Sequence, residues 1–163
     1  MKRLENISNV AVIVAVLVFL GAMARNEFGT HKQPDMSAGA LIGKTVALPG
    51  VRFPEKTKSL VLAISTTCHY CKESEPFYRD LLARSAGKVK VVAVLPQSQA
   101  EAQAFVKDEE MPSMQVVSAQ LDSIGVHATP TLLLVDERGR VQNAWIGKLD
   151  EKGQQDVLSR AAL

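Results

Sequence analysis

Cysteine is almost absent from this chain, with two among 163 residues. Two are too few for a disulfide-stapled scaffold. They are also too few for a structural zinc site, which wants four ligands and usually two such pairs. His31, His69 and His127 could complete a set only through coincidence of folding, so no metal is expected. Net charge is nearly absent too: the formal value is +2, with Lys and Arg scattered among Asp and Glu. That balance gives no basic face for nucleic acid. Internal repeats and low-complexity tracts are missing, which leaves one domain plus accessory sequence. Apolar residues, by contrast, make up 47% of the chain, enough to fill a core.

The two cysteines sit together in Ser65-Thr66-Thr67-Cys68-His69-Tyr70-Cys71-Lys72. Before them, Leu60 to Ile64 is a short apolar run of the kind a buried strand uses. After them, Phe77, Leu81 and Leu82 recur at helical spacing between charged residues. The pair therefore lies where a strand hands over to a helix. Unpaired N–H groups and the positive end of the dipole at a helix start favour thiolate over thiol. A purely structural disulfide is the plain alternative, but a two-residue gap closes too small a loop to restrain the unfolded chain much. Strand, Cys-x-x-Cys, helix is a redox arrangement.

The N-terminus has a different character. Lys2 and Arg3 precede a stretch from Asn6 to Ala24 without a single charge, unbroken and apolar from Val10 to Leu20. Such a segment is an export signal, either a cleaved signal peptide ending at Ala22-Met23-Ala24 or a retained membrane anchor. Leu4 and Ile7 lengthen the apolar stretch and favour the anchor, so residues 4–24 are assigned to the membrane. The basic end stays cytoplasmic, and the rest of the chain lies in the periplasm or outside the cell. The expected organisation is residues 1–24 as signal or anchor, 25–38 as a linker and 39–163 as the folded domain. Within that domain the patterns predict strands at 45–48, 60–65, 89–95, 114–117, 131–135 and 141–146. Helices are expected from the cysteines to about Ser85 with a kink at Pro76, from the Ser98 capping box to about Glu109 and a stop at Pro112, over 120–124, and from Asp150 to about Ala162. Strands alternating with helices, then a hairpin and a last helix, describe an α/β fold with a mixed sheet covered on both faces.

Over residues 39–163 the sequence resembles the thioredoxin-like superfamily. Three features carry the resemblance: Cys68-His69-Tyr70-Cys71 at the strand-to-helix junction, Pro76 five residues later, and Thr129-Pro130-Thr131 before a strand and hairpin. The extra elements between Ser98 and Ile124 resemble the redoxin and TlpA/ResA-like branch of membrane-tethered thiol reductases. That branch commonly has Trp before the first cysteine and Glu three residues after the second, where this chain has Thr67 and Ser74. The buried acid of thioredoxins has no equivalent, since Leu62 stands at its position. Glu73 and Glu75 are left as proton acceptors, or simply as charges complementing the helix dipole.

The resemblance implies thiol–disulfide exchange with partner proteins, no cofactor, and a reductase fed by a membrane electron donor. It makes Cys68 the attacking thiolate and Cys71 the resolving thiol. It also makes Pro130 a cis-proline that, with Thr129, floors the substrate site, and Tyr70 a contact surface. A cationic His69 would tune the pair toward oxidation by stabilising the thiolate. Lys72, His127 and Trp145 read as surface, surface and core or hairpin cover. Two other functions stay open: a Cu(I)-binding chaperone using the cysteines and a histidine, and a thiol peroxidase. The peroxiredoxin signature Pro-x-x-x-Thr-x-x-Cys is, however, missing.

Overall fold

The computed structural model describes residues 37–111 and 113–163, together with Val16, Val18 and Phe19, which are helical and exposed. Apart from those three residues, the expected anchor lies outside the described residues, as does most of the linker. Among the described residues no helix is long and apolar enough to cross a membrane.

Five strands form one sheet: β1 (Ser59–Ala63), β2 (Lys90–Leu95), β3 (Gln115–Ser118), β4 (Thr131–Val135) and β5 (Val141–Ile146). Their order is β3-β2-β1-β4-β5. β1, β2 and β3 run parallel, β4 runs antiparallel to β1, and β5 antiparallel to β4. β1 and β4 are buried at every position. This is why they read as unbroken apolar runs rather than as alternating ones: both faces of the central sheet are covered. Alternate residues go to opposite sides. Leu60, Leu62, Leu132 and Leu134 enter one core, while Val61, Ala63, Leu133 and Val135 enter the other.

The two faces are covered differently. Helices α1 (His69–Glu73), α2 (Glu75–Ser85), α3 (Gln99–Asp108) and α4 (Glu151–Ala161) supply the first core, through residues such as Cys71, Leu81, Val106 and Leu158. The second core is closed by Leu41, Val46 and Leu48 before β1, and by Ile124 in a 3-10 turn over Leu121–Ile124. Both faces are thus covered, one by the helices and the other by the segment before β1 and the 3-10 turn.

Local chemistry explains the helix ends. Ser98 and Glu101 form a reciprocal capping box at the start of α3, and Asp150 Oδ1 accepts the Gly153 N–H at 2.8 Å to start α4. α3 ends at Asp108, where Glu110 turns left-handed and the Met111 N–H bonds Val106 O at 2.9 Å. Pro112, the expected stop, lies outside the described residues.

Two expectations are corrected. The helix after the cysteines breaks at Ser74, not at Pro76, which sits in the first turn of α2. Proline acts upstream of itself: it lacks an N–H for the carbonyl four residues back and its ring crowds that carbonyl. At the break the Ser74 N–H turns to Cys71 O at 3.1 Å, and the Ser74 hydroxyl donates instead to the Tyr70 carbonyl this leaves, at 2.7 Å. Residues 45–48 form no strand, only a single bridge between Thr45 and Arg140. β5 begins at Val141, so this segment meets the β4–β5 turn rather than a ladder; Val46 N–H, for example, bonds Gly139 O at 2.8 Å.

Candidate active site

β1 and β4 are antiparallel and paired from Ser59–Val135 to Ala63–Thr131. The loop leaving β1 and the loop entering β4 therefore emerge at the same edge of the sheet. The first carries the cysteines, the second Thr129 and Pro130. The Thr129–Pro130 peptide bond is cis, with Pro130 buried and Thr129 half-buried. The second loop is held by Thr131 Oγ1, which donates to Ala128 O at 2.8 Å, and by Gly147 N–H, which donates to Pro130 O at 2.7 Å.

Cys68 is the N-cap of α1 in extended backbone, and its Sγ accepts the Cys71 N–H at 3.1 Å. The two cysteines are joined in a disulfide with their Cα atoms 5.2 Å apart. They are not equivalent. Cys71 is 1% exposed inside the first core, whereas Cys68 is partly exposed and only packs against it. Leu62, at the strand position where thioredoxins carry an acid, is fully buried in the same core.

The residues between the cysteines face solvent. Tyr70 is 57% exposed, and the His69 ring lies 5.6 Å from it. His69 is 78% exposed and places Nε2 at 3.1 Å from Glu73 Oε1, one helical turn on. Glu73 also receives Lys148 Nζ at 2.9 Å. The hydrogen bond from Lys148, with a smaller contribution from His69, holds the Glu73 carboxyl below its ordinary range. Glu75 behaves oppositely. Burial, then the neighbouring Glu109 carboxyl, pushes it up, and its Oε1 is buried without a hydrogen-bond donor. Burial likewise pushes the Tyr78 hydroxyl up to about 12.

The pairing of Asp122 with His127 beside the site was not read from the sequence. A cleft of about 270 Å³ runs beside the disulfide loop, between Ser65 on one side and Ala128 and Thr129 on the other. His127 and Asp122 line it, with Nδ1 and Oδ1 2.8 Å apart. His127, read as a lone surface residue, is thus paired at the rim. The pair is five residues apart across Gly125, whose φ of 73° reverses the chain. The signal available beforehand was the extra segment from Ser98 to Ile124. Trp145 is half-buried on β5 and donates through Nε1 to Asp156 Oδ2 at 2.9 Å. Among the described residues no three His, Cys, Asp or Glu side chains are grouped to hold a metal ion.

A Cys-x-x-Cys disulfide at the carboxyl edge of the central strand, on a sheet of this order, defines a thioredoxin-like thiol–disulfide oxidoreductase. The sequence comparison agrees: the family model described as Redoxin matches residues 30–159, and the chain belongs to the redoxin family. Comparison with curated protein sequences gave no match. Solved structures share the fold. StoA from Bacillus subtilis superposes with a TM-score of 0.53 at 18% identity, over 65% of this chain and 83% of that one. The exposed lipoprotein thioredoxin Etrx1 of Streptococcus pneumoniae gives 0.54 at 18% identity, over 65% and 86%. A thiol-disulfide isomerase from Corynebacterium glutamicum gives 0.57 at 12% identity, over 73% and 96%.

Proposed function

We propose that the chain is an extracytoplasmic reductase of protein disulfides, with Cys68 as the attacking sulfur and Cys71 as the resolving one. The observation that carries the assignment is the unequal burial of the pair: Cys71 is enclosed and Cys68 reaches the surface. In the reduced enzyme the Cys68 thiolate attacks one sulfur of a partner cystine, forming a mixed disulfide and releasing the other partner sulfur as a thiolate. The Cys71 thiolate then attacks Cys68 Sγ, and the second partner sulfur leaves. Two electrons pass from the enzyme dithiol to the partner, and a dithiol donor restores the enzyme.

The direction is supported by His69. An imidazolium aimed at Cys68 would stabilise the thiolate and make the pair oxidising. Here the ring is engaged by Glu73, itself bonded to Lys148, so that stabilisation is quenched. The disulfide is correspondingly favoured, as a reductase requires. Thr129 and Pro130 offer the floor on which an extended partner segment lies, and Tyr70 adds exposed contact area. Location outside the cytoplasm, by a membrane anchor over residues 4–24 and with a membrane electron donor, rests on the uncharged N-terminal run. The name of the pneumococcal neighbour, an exposed lipoprotein, is consistent with it.

The test is trapping. Full-length Cys71→Ser protein in detergent, incubated with a disulfide-containing protein substrate, is expected to accumulate a mixed disulfide through Cys68. Cys68→Ser is expected to accumulate none. Equal trapping by both variants refutes the assignment.

A further inference from the structure

The cleft beside the disulfide loop is unused by the exchange chemistry itself. Its volume of about 270 Å³ lies just below the roughly 300–1,000 Å³ of small-molecule pockets. It suits one long side chain. Its place suits a residue adjoining the reacting cystine, because Ser65 belongs to the loop that carries Cys68, and Thr129 to the loop entering β4.

Its ionisable lining is a single acid–imidazole pair. The lining holds one carboxylate, Asp122, one imidazole, His127, and no lysine or arginine. Lys44, beside Gly125, does not line it. Asp122 meets His127 through Oδ1, yet its side chain is 81% exposed, so the carboxylate is presented to whatever enters. The exposed carboxylate suits a donor-rich cation. The other rim of the site differs in carrying a lysine, Lys148, beside its carboxylate, Glu73.

We propose that this cleft seats the residue flanking the target cystine and selects a lysine or arginine at that position. This rests on the reading that the chain reduces protein disulfides, and it specifies the substrate class.

The test uses full-length protein in detergent, a regenerating dithiol, and three disulfide-linked peptides that differ only in the residue beside the cysteine: Lys, Ala or Glu. The expected order of kcat/KM is Lys over Ala over Glu, with about fivefold between the first two, the upper range of an exposed ion pair. In Asp122→Lys the order is expected to invert. In the unmutated protein the Lys-to-Glu ratio is expected to fall toward unity as salt is raised to about 1 M, where charges screen within about 3 Å. Equal rates for the three peptides overturn the proposal, as does a Lys preference that survives in Asp122→Lys. Failure to reduce any of them, while the dithiol still reduces the Cys68–Cys71 disulfide, overturns the parent reading and the proposal with it.

Discussion

Reduced full-length protein exposed to limiting iodoacetamide at neutral pH is expected to alkylate first at Cys68. The reason is local. In the observed helix start the Cys71 N–H points at Cys68 Sγ, 3.1 Å away, and the same bond is offered to the thiolate after reduction. A hydrogen bond to a charged group contributes about 1.5–3 kcal/mol. At about 1.4 kcal/mol per factor of ten, that shifts the thiol–thiolate equilibrium of Cys68 toward the thiolate by a factor of about ten to a hundred relative to an unassisted thiol. Cys71 lacks that help and is 1% exposed, so reagent reaches it only when α1 opens. Both effects act in the same direction, and a ratio of at least about tenfold is expected. Peptide mapping of the singly alkylated species by mass spectrometry reads it directly. Equal labelling, or Cys71 ahead of Cys68, refutes the reasoning, since neither burial nor the N–H contact would then govern reactivity.

Glu73→Gln is expected to make the pair more oxidising, because His69 loses the carboxylate that engages it; equilibration against glutathione buffers measures this, and an unchanged or more negative potential counts against the role of His69. Glu75 gives a pH signature. Its folded-state pKa is raised, so above the ordinary carboxylate range near 4.5 the folded protein holds more protons than the unfolded chain. Its contribution to stability is therefore present at low pH and declines as pH rises from there through the raised value. Urea midpoints followed across that window should decline less in Glu75→Gln, and parallel curves would exclude it. Gly139→Ala should lose about 2 kcal/mol or more in urea denaturation. Its φ is 75°, and an added Cβ would lie 2.5 Å from Val46 O and 2.9 Å from the Phe53 ring; a loss under about 1 kcal/mol means the turn relaxes.

Much of this fold was legible because its signals are local. Leu60 to Ile64 and Leu132 to Val135 are apolar without interruption, which only a strand buried on both faces tolerates over so short a length. Ser98 with Glu101, and Asp150, announce helix starts by chemistry that needs no tertiary partner. The cysteine pair at the junction of two patterns likewise declares itself. What was not legible depends on distant chain. The segment at 45–48 looks like a strand, but the turn at Gly139 decides that it meets the chain just before β5 at one bridge, Thr45 to Arg140. The break at Ser74 lies upstream of the proline that causes it. The Asp122–His127 pair requires the reversal at Gly125, and the elevated Glu75 requires the end of α3 to deliver Glu109 beside it. Neither contact has a periodicity to read.

The charges around the disulfide fall into two groups with different duties. His69, Glu73 and Lys148 lie on the α1 side, linked in one chain of contacts, and in the proposed function they set how much positive charge the sulfur sees. Asp122 and His127 lie across the cleft, on the turn after β3 and the loop before β4, and share no hydrogen bond with the first group. Groups without shared partners contribute nearly additively. It follows that Glu73→Gln should shift the potential, and so the rate with every peptide by the same factor. Asp122→Lys should reorder the peptides while leaving the potential within a few millivolts, about the scale of a tenth of the roughly 30 mV that corresponds to a tenfold change. In the double variant the two effects should multiply. A potential that moves with Asp122, or a peptide order that moves with Glu73, would mean that the two rims are one electrostatic unit and that recognition and redox poise cannot be separated in this enzyme.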